Sequence, residues 1–108
     1  YNMKIVGVAA CPIGIAHTYM AAENLEKVCK EHGYEVKVET QGSIGIENEL
    51  EMEDIESADL AILAISVEIE GRDRFDDICT YEADVAKCVS NPEVVLQEAL
   101  EFYKEKNQ

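Results

Sequence analysis

Residues 59–65, DLAILAI, are the most apolar run in the chain, and residues 4–10, KIVGVAA, form a second. Runs this short and this aliphatic read as strands covered on both faces, so helices must lie above and below them. The chain between supplies such helices. From Ala16 to about Glu31, Ala21, Leu25 and Val28 fall on one stripe while Glu23, Glu26, Lys27 and Lys30 face outward, and Gly33 stops the helix as a left-handed cap. Residues 35–40, EVKVET, alternate Val36 and Val38 with charge and read as a half-exposed edge strand. The stretch TQGSIGIENEL reads as a glycine-bearing loop leading to a short helix around residues 53–57. A last strand is expected over about Cys79 to Glu82. The last helix opens with Ser90 or Asn91 as cap and Pro92 in its first turn, and buries Val95, Leu96, Ala99, Leu100 and Tyr103.

Strands alternating with helices pair in parallel through right-handed crossovers. The expectation is an α/β fold: a small doubly wound, Rossmann-like sheet of four parallel strands in the order 2-1-3-4, with helices on both faces. The 108 residues suit a single domain with a core of its own. Tyr1 and Asn2 are read as additions ahead of a natural start at Met3, or as the trace of a longer chain.

Nine Lys and Arg against 23 Asp and Glu leave a formal net charge of −14. That field repels nucleic acid and anionic lipid, and leaves open a protein partner with a basic or apolar patch. No apolar run is long enough to span a bilayer and no signal peptide is visible, so no membrane insertion is expected and the cytoplasm is the expected compartment. The cysteines Cys11, Cys29, Cys79 and Cys88 show neither C-x-x-C spacing nor a cluster with His, so neither a metal site nor a disulfide framework is expected. Cys29, Cys79 and Cys88 read as small buried hydrophobes.

Cys11 stands apart. In the octapeptide CPIGIAHT, residues 11–18, it leaves a strand and enters a turn that opens a helix. The first N–H groups of that helix lack intrahelical partners and carry partial positive charge, which makes an anion cradle and favours the thiolate. Ligands in such sheets bind beyond the carboxyl ends of the strands, beside the first strand. Cys11 is therefore the candidate nucleophile for phosphorus. The amides of Ile13, Gly14, Ile15 and Ala16, with His17 and Thr18, are the candidate phosphate holders, while Pro12 donates no N–H.

Cysteine-dependent phosphatases space Cys and Arg as C-x5-R, then Ser or Thr. Here the spacing and hydroxyl are kept but His17 replaces the Arg, which gives one donor instead of a planar fork. That suits a carrier whose phosphocysteine must survive until an acceptor arrives. His17 has three readings: a phosphoryl donor, a group tuning Cys11, or a cap for the helix. His32, beside Gly33, reads as a favourable partner for the helix C-terminus. Either one of Arg72 and Arg74 replaces the missing clamp when a partner docks, or they pair at the surface with Asp73, Asp76 or Asp77. A tyrosine-phosphatase-like hydrolase and a non-enzymatic cysteine redox or binding module are the alternatives to a carrier.

The segments ACPIGIAHTYMAAE and VKVETQGSIGIENEL, with Asp54, Ile55, Ala58 and Asp59 and the pair Arg74-Phe75, make the chain similar to the fructose-type enzyme IIB domain of the bacterial sugar phosphotransferase system. The resemblance covers Lys4 to about Leu100. It implies that Cys11 takes a phosphoryl group from a phosphohistidine of enzyme IIA and passes it to a sugar, expected to be fructose, held by the membrane enzyme IIC. It also implies no metal or bound cofactor, and it matches Gly14 to Thr18 to the phosphocysteine loop. Where many relatives carry a glycine-lysine pair before the last strand, this chain has Asp76-Asp77-Ile78-Cys79. Such domains also occur fused to IIA or IIC.

Overall fold

The computed structural model describes residues 3–10, 16–42, 45–65, 68–69 and 71–106, with the backbone alone at residues 16 and 17. Five strands make one sheet in the order β3-β2-β1-β4-β5. They are β1 (Lys4–Ala10), β2 (Glu35–Gly42), β3 (Gly45–Glu47), β4 (Leu60–Ile65) and β5 (Thr80–Ala83). Helix α1 (Ala16–Glu31) links β1 to β2, and α2 (Met52–Glu56) precedes β4. A 3-10 turn (Arg72–Phe75) lies between β4 and β5, and α3 (Val85–Ser90) and α4 (Pro92–Lys106) close the chain.

The four parallel strands β2, β1, β4 and β5 stand side by side in the relative order expected, but the sheet itself is not the four-stranded parallel one read from the sequence. It is mixed, because β3 adds an antiparallel strand to β2 through Thr40↔Glu47, Gln41↔Ile46 and Gly42↔Gly45. Three exposed residues with no apolar alternation fall below the length at which a strand announces itself. The chain reverses with Gly45 at φ 104° and Asn48 at φ 55°, a region glycine and asparagine tolerate. β2 is consequently an edge strand only along its first residues; near its end, Thr40 and Gln41 are paired on both sides.

Two cores pack on opposite faces of the sheet. Ile5 and Ala9 of β1 join Ala21, Leu25, Val28 and Cys29 of α1 and Val95, Leu96 and Ala99 of α4. Val6, Val8 and Ala10 face the other way, with Leu50, Ile55 and Phe75. All of β4 is buried, as its unbroken apolar run requires. Burying each of its Leu and Ile side chains contributes about 1.5–3 kcal/mol. Gly7 lets β1 and β4 close up, since a Cβ there would come within 2.9 Å of the Ile62 carbonyl oxygen.

Helix α1 ends as read, with Gly33 at φ 78°. The late helical region divides in two at Asn91, whose φ of −140° and ψ of 62° are not helical. Pro92 causes the break, because its ring forbids helical geometry to the residue before it. Asp84 caps α3 by accepting from the Ala86 N–H at 3.0 Å. His32 does more than meet a helix end: its Nε2 lies 3.0 Å from the Glu93 carboxylate and clips α1 to the first turn of α4. Among the described residues no helix is long and apolar enough to cross a membrane.

Candidate functional site

Because β1, β2 and β4 run parallel, their carboxyl ends share one rim, where Ala10 sits between Gln41 and Ile65. Cys11 follows Ala10 directly in the chain, and α1 begins at Ala16. Residues 11–15 lie outside the described residues, and with them the expectations for Cys11, Ile13, Gly14 and Ile15. Ala16 and His17 are the first two residues of α1, described by backbone alone, so the three readings of the His17 side chain also fall outside.

Thr18 is the expected site residue whose side chain is in view. It is fully buried in the first turn of α1, and its Oγ1 has no hydrogen-bond partner among the described residues. A buried hydroxyl left unpaired costs about 1–3 kcal/mol, so a position that keeps one is a position where a ligand can repay it. Next to it, shielding of the Tyr19 phenol from water and the nearby Glu47 carboxylate of β3 push the Tyr19 pKa up.

On the opposite face, just below the rim, Glu39 is buried with no exposed side-chain surface. It lies beside Val8 of β1, three residues before Cys11. The Arg74 guanidinium donates to both its oxygens, Nη1 at 2.9 Å and Nη2 at 3.0 Å. The Gln41 Nε2 at 2.7 Å and the Leu50 N–H at 2.8 Å complete the set. Burial pulls the Glu39 pKa up, but these hydrogen bonds and the Arg74 charge outweigh it and hold the carboxyl below its ordinary value. Arg74 also donates to the carbonyls of Leu50 and Gly71 and stacks over Phe75, 5.3 Å from the ring centre.

This arrangement corrects the surface-pairing reading of the arginines in its partners: Arg74 is held by buried Glu39, and Arg72 pairs at the surface with Glu82 of β5 at 2.7 Å. Glu39 is the residue that sequence reasoning missed. In EVKVET it falls on the charged side of the alternation, which normally faces water; only Arg74, 35 residues later, makes its burial tolerable. The pair Arg74-Phe75 was the one legible hint.

Cys29 and Cys88 are buried as expected, and burial pushes both thiols up to about 12, too high to ionise near neutrality. Cys79 departs from the expectation: it precedes β5 and is only half-buried. Among the described residues no three His, Cys, Asp or Glu side chains converge as a metal site would require. A groove of about 580 Å³ runs beside β5, lined among others by Arg72, Cys79, Phe102 and Lys106, and holds none of Ala10, Thr18 or Gln41.

An open, mostly parallel α/β sheet, with a cysteine next after its first strand and, where the following helix begins, a buried hydroxyl with no partner among the described residues, has the layout of a small anion-handling domain. Comparison with known proteins carries this further. The family described as "PTS system, Lactose/Cellobiose specific IIB subunit" matches residues 6–98. The Escherichia coli K12 protein named PTS system fructose-like EIIB component 2 is 48% identical over 93 residues, 86% of this chain and 88% of that one. Fructose-like EIIB component 1 of the same strain is 39% identical over 107 residues, 99% of each chain. Among solved structures, a domain of the fructose-specific IIABC component of Borrelia burgdorferi is 44% identical with a TM-score of 0.88, covering 94% of this chain and 96% of that one. The solution structure of an enzyme IIB subunit from Escherichia coli K12 is 38% identical with a TM-score of 0.89 over 100% of both. This chain belongs to the IIB family of the sugar phosphotransferase system, whose members are phosphotransferases.

Proposed function

We propose that the chain is a single IIB phosphoryl carrier, acting in the cytoplasm, that takes its phosphoryl group on Cys11 from a phosphohistidine of enzyme IIA. It passes the group to a sugar held by the membrane enzyme IIC. In the first step the Cys11 thiolate attacks phosphorus, an S–P bond forms, the N–P bond breaks and the electron pair leaves on imidazole. In the second a sugar hydroxyl oxygen attacks, the S–P bond breaks, the thiolate departs and the hydroxyl proton is lost to a base on the acceptor side. The amides of Ile13 to Ala16, His17 and the Thr18 hydroxyl hold the phosphoryl oxygens in this reading.

The observation that carries it is the Thr18 hydroxyl, buried and without a partner among the described residues at the head of α1, seven residues after Cys11. Three phosphoryl oxygens are strong acceptors, and a helix N-terminus favours their charge. A fructose-like sugar is the acceptor class this reading adopts. The relatives at 39–48% identity are named fructose-like, while a solved cellobiose-specific IIB component from Borrelia burgdorferi is only 20% identical with a TM-score of 0.57.

Intact-mass spectrometry after mixing with a phosphorylated IIA protein tests the reading, with the modified residue mapped under neutral conditions. A gain of one phosphoryl group on Cys11, absent from Cys11→Ser, is expected. A gain on another residue, or its persistence in Cys11→Ser, refutes the covalent step.

A further inference from the structure

The groove beside β5, about 580 Å³ in volume, is large enough for a specific guest. It reaches the end of the sheet opposite the rim: Thr80 on its wall is the first residue of β5 and pairs with Ala61 near the start of β4. None of Ala10, Gln41 or Ile65 lines it, so a guest seated there touches none of the three strand ends at the rim.

The lining says what kind of guest fits. Phe75, Ile78 and Phe102 give it an apolar wall. Both of its cations are already engaged, Arg72 with the Glu82 carboxylate at 2.7 Å and Lys106 over the Phe102 ring, 5.5 Å from its centre. The carboxylates of Asp76 and Asp77, both exposed on the groove, have no ion-pair partner among the described residues. The charge left for a guest to meet is therefore negative. The surroundings have the same sign, since residues 45–77, which carry Leu50, Ile55 and Phe75 onto this face of the sheet, hold twelve Asp and Glu against two Arg. A second copy of the chain, itself at −14, is repelled from such a place.

We infer that the groove docks a Lys- or Arg-bearing cytoplasmic loop of the membrane enzyme IIC, which rests on the phosphoryl-carrier reading above. Cytoplasmic loops of membrane proteins carry an excess of Lys and Arg, the charge that Asp76 and Asp77 call for. The anionic inner leaflet repels a chain this acidic, so a protein contact and not the lipid surface must hold it beside the membrane.

The test follows loss of the phosphoryl group from the phosphorylated full chain to sugar, in single turnovers, at rising concentration of a fructose-like enzyme IIC in phosphatidylcholine vesicles. Asp76→Lys with Asp77→Lys should raise the half-saturating IIC concentration about tenfold or more, because like charges then meet, and leave the saturated rate unchanged. Asp76→Asn with Asp77→Asn should raise it about threefold. Glu31→Gln with Glu35→Gln removes as much charge from exposed places on α1 and β2 and should change it less than twofold. Phosphorylation by phosphorylated IIA should be the same in all four proteins. Amide hydrogen exchange at residues 76–80 of the unphosphorylated parent should slow when the IIC vesicles are added, a reading of docking that needs no phosphoryl transfer.

Half-saturating concentrations within twofold of the parent in the double Lys variant would overturn the inference. An equal rise in Glu31→Gln with Glu35→Gln would do the same, marking net charge alone, as would unchanged exchange at residues 76–80. A weaker response to IIA in the Asp76 and Asp77 variants would put IIA in the groove, and slowed exchange with vesicles lacking IIC would put lipid there; either result overturns it. A parent whose exchange slows with IIC but which takes no phosphoryl group on Cys11 overturns instead the carrier function.

Discussion

Arg74 and Glu39 face each other across a two-pronged contact, 2.9 and 3.0 Å, with the Glu39 side chain wholly out of solvent and the Arg74 side chain 16% exposed. The pair joins β2 to the segment after β4, passing over β1 within three residues of Cys11. Removing one partner strands the other charge in a poorly solvated place. Arg74→Met should therefore destabilise the fold by about 3–5 kcal/mol. The double change Glu39→Gln with Arg74→Met should cost less than the two single changes summed. Urea melts of the four proteins in a double-mutant cycle check this.

The same pair predicts an acid limb. The folded-state pKa of Glu39 is depressed, so its contribution to stability is complete above the unfolded carboxylate value of about 4.3 and drains away as the pH falls below that, through the folded value. Glu39→Gln should flatten the loss of stability below about pH 4.3 relative to the parent. Thermal melts from neutral pH down to the acid transition measure it, and parallel curves would contradict the assignment.

Thr18 separates stability from function. Its hydroxyl is buried without a partner among the described residues, so Thr18→Val keeps the shape and removes that group. The melting temperature should hold or rise, with a gain of up to about 1 kcal/mol, while phosphorylation by phosphorylated IIA slows. A variant that loses stability and keeps its transfer rate would show that the hydroxyl serves the core instead.

Thiol chemistry should sort the cysteines. Cys29 and Cys88 are buried with pKa values near 12, and half-buried Cys79 is also raised by burial. In the native protein at neutral pH, iodoacetamide is expected to label Cys11 first, Cys79 slowly, and Cys29 and Cys88 only after denaturation. Peptide mapping of the adducts over time gives the order.

The His32–Glu93 contact, 3.0 Å long, ties the end of α1 to the start of α4 at an exposed place. Glu93→Ala should lower stability only slightly and leave phosphoryl transfer unchanged, as an exposed pair far from the rim requires. Calorimetry and the transfer assay together check both halves of that statement.

Much of this architecture is written in local chemistry. The unbroken run 59–65 demands cover on both faces, the 3.6-residue spacing of Ala21, Leu25 and Val28 makes an amphipathic helix, and Gly33 and Pro92 mark where helices end and begin. Those signals act over a few residues, which is why α1 and β4 lie where the sequence places them. The octapeptide at Cys11 identifies the family for the same reason: its spacing is local.

The remainder depends on residues far apart in the chain. Strand β3 exists only because β2 offers it an edge, and three exposed residues carry no periodicity of their own. Glu39 reads as a solvent-facing charge until the fold brings Arg74 to it from 35 residues away; then the cheapest place for that carboxylate is the interior, between a guanidinium and a backbone N–H. Periodicity determined which faces are apolar, and the tertiary structure alone decided which charges could be buried, because a buried charge is tolerated only where the fold delivers its partner.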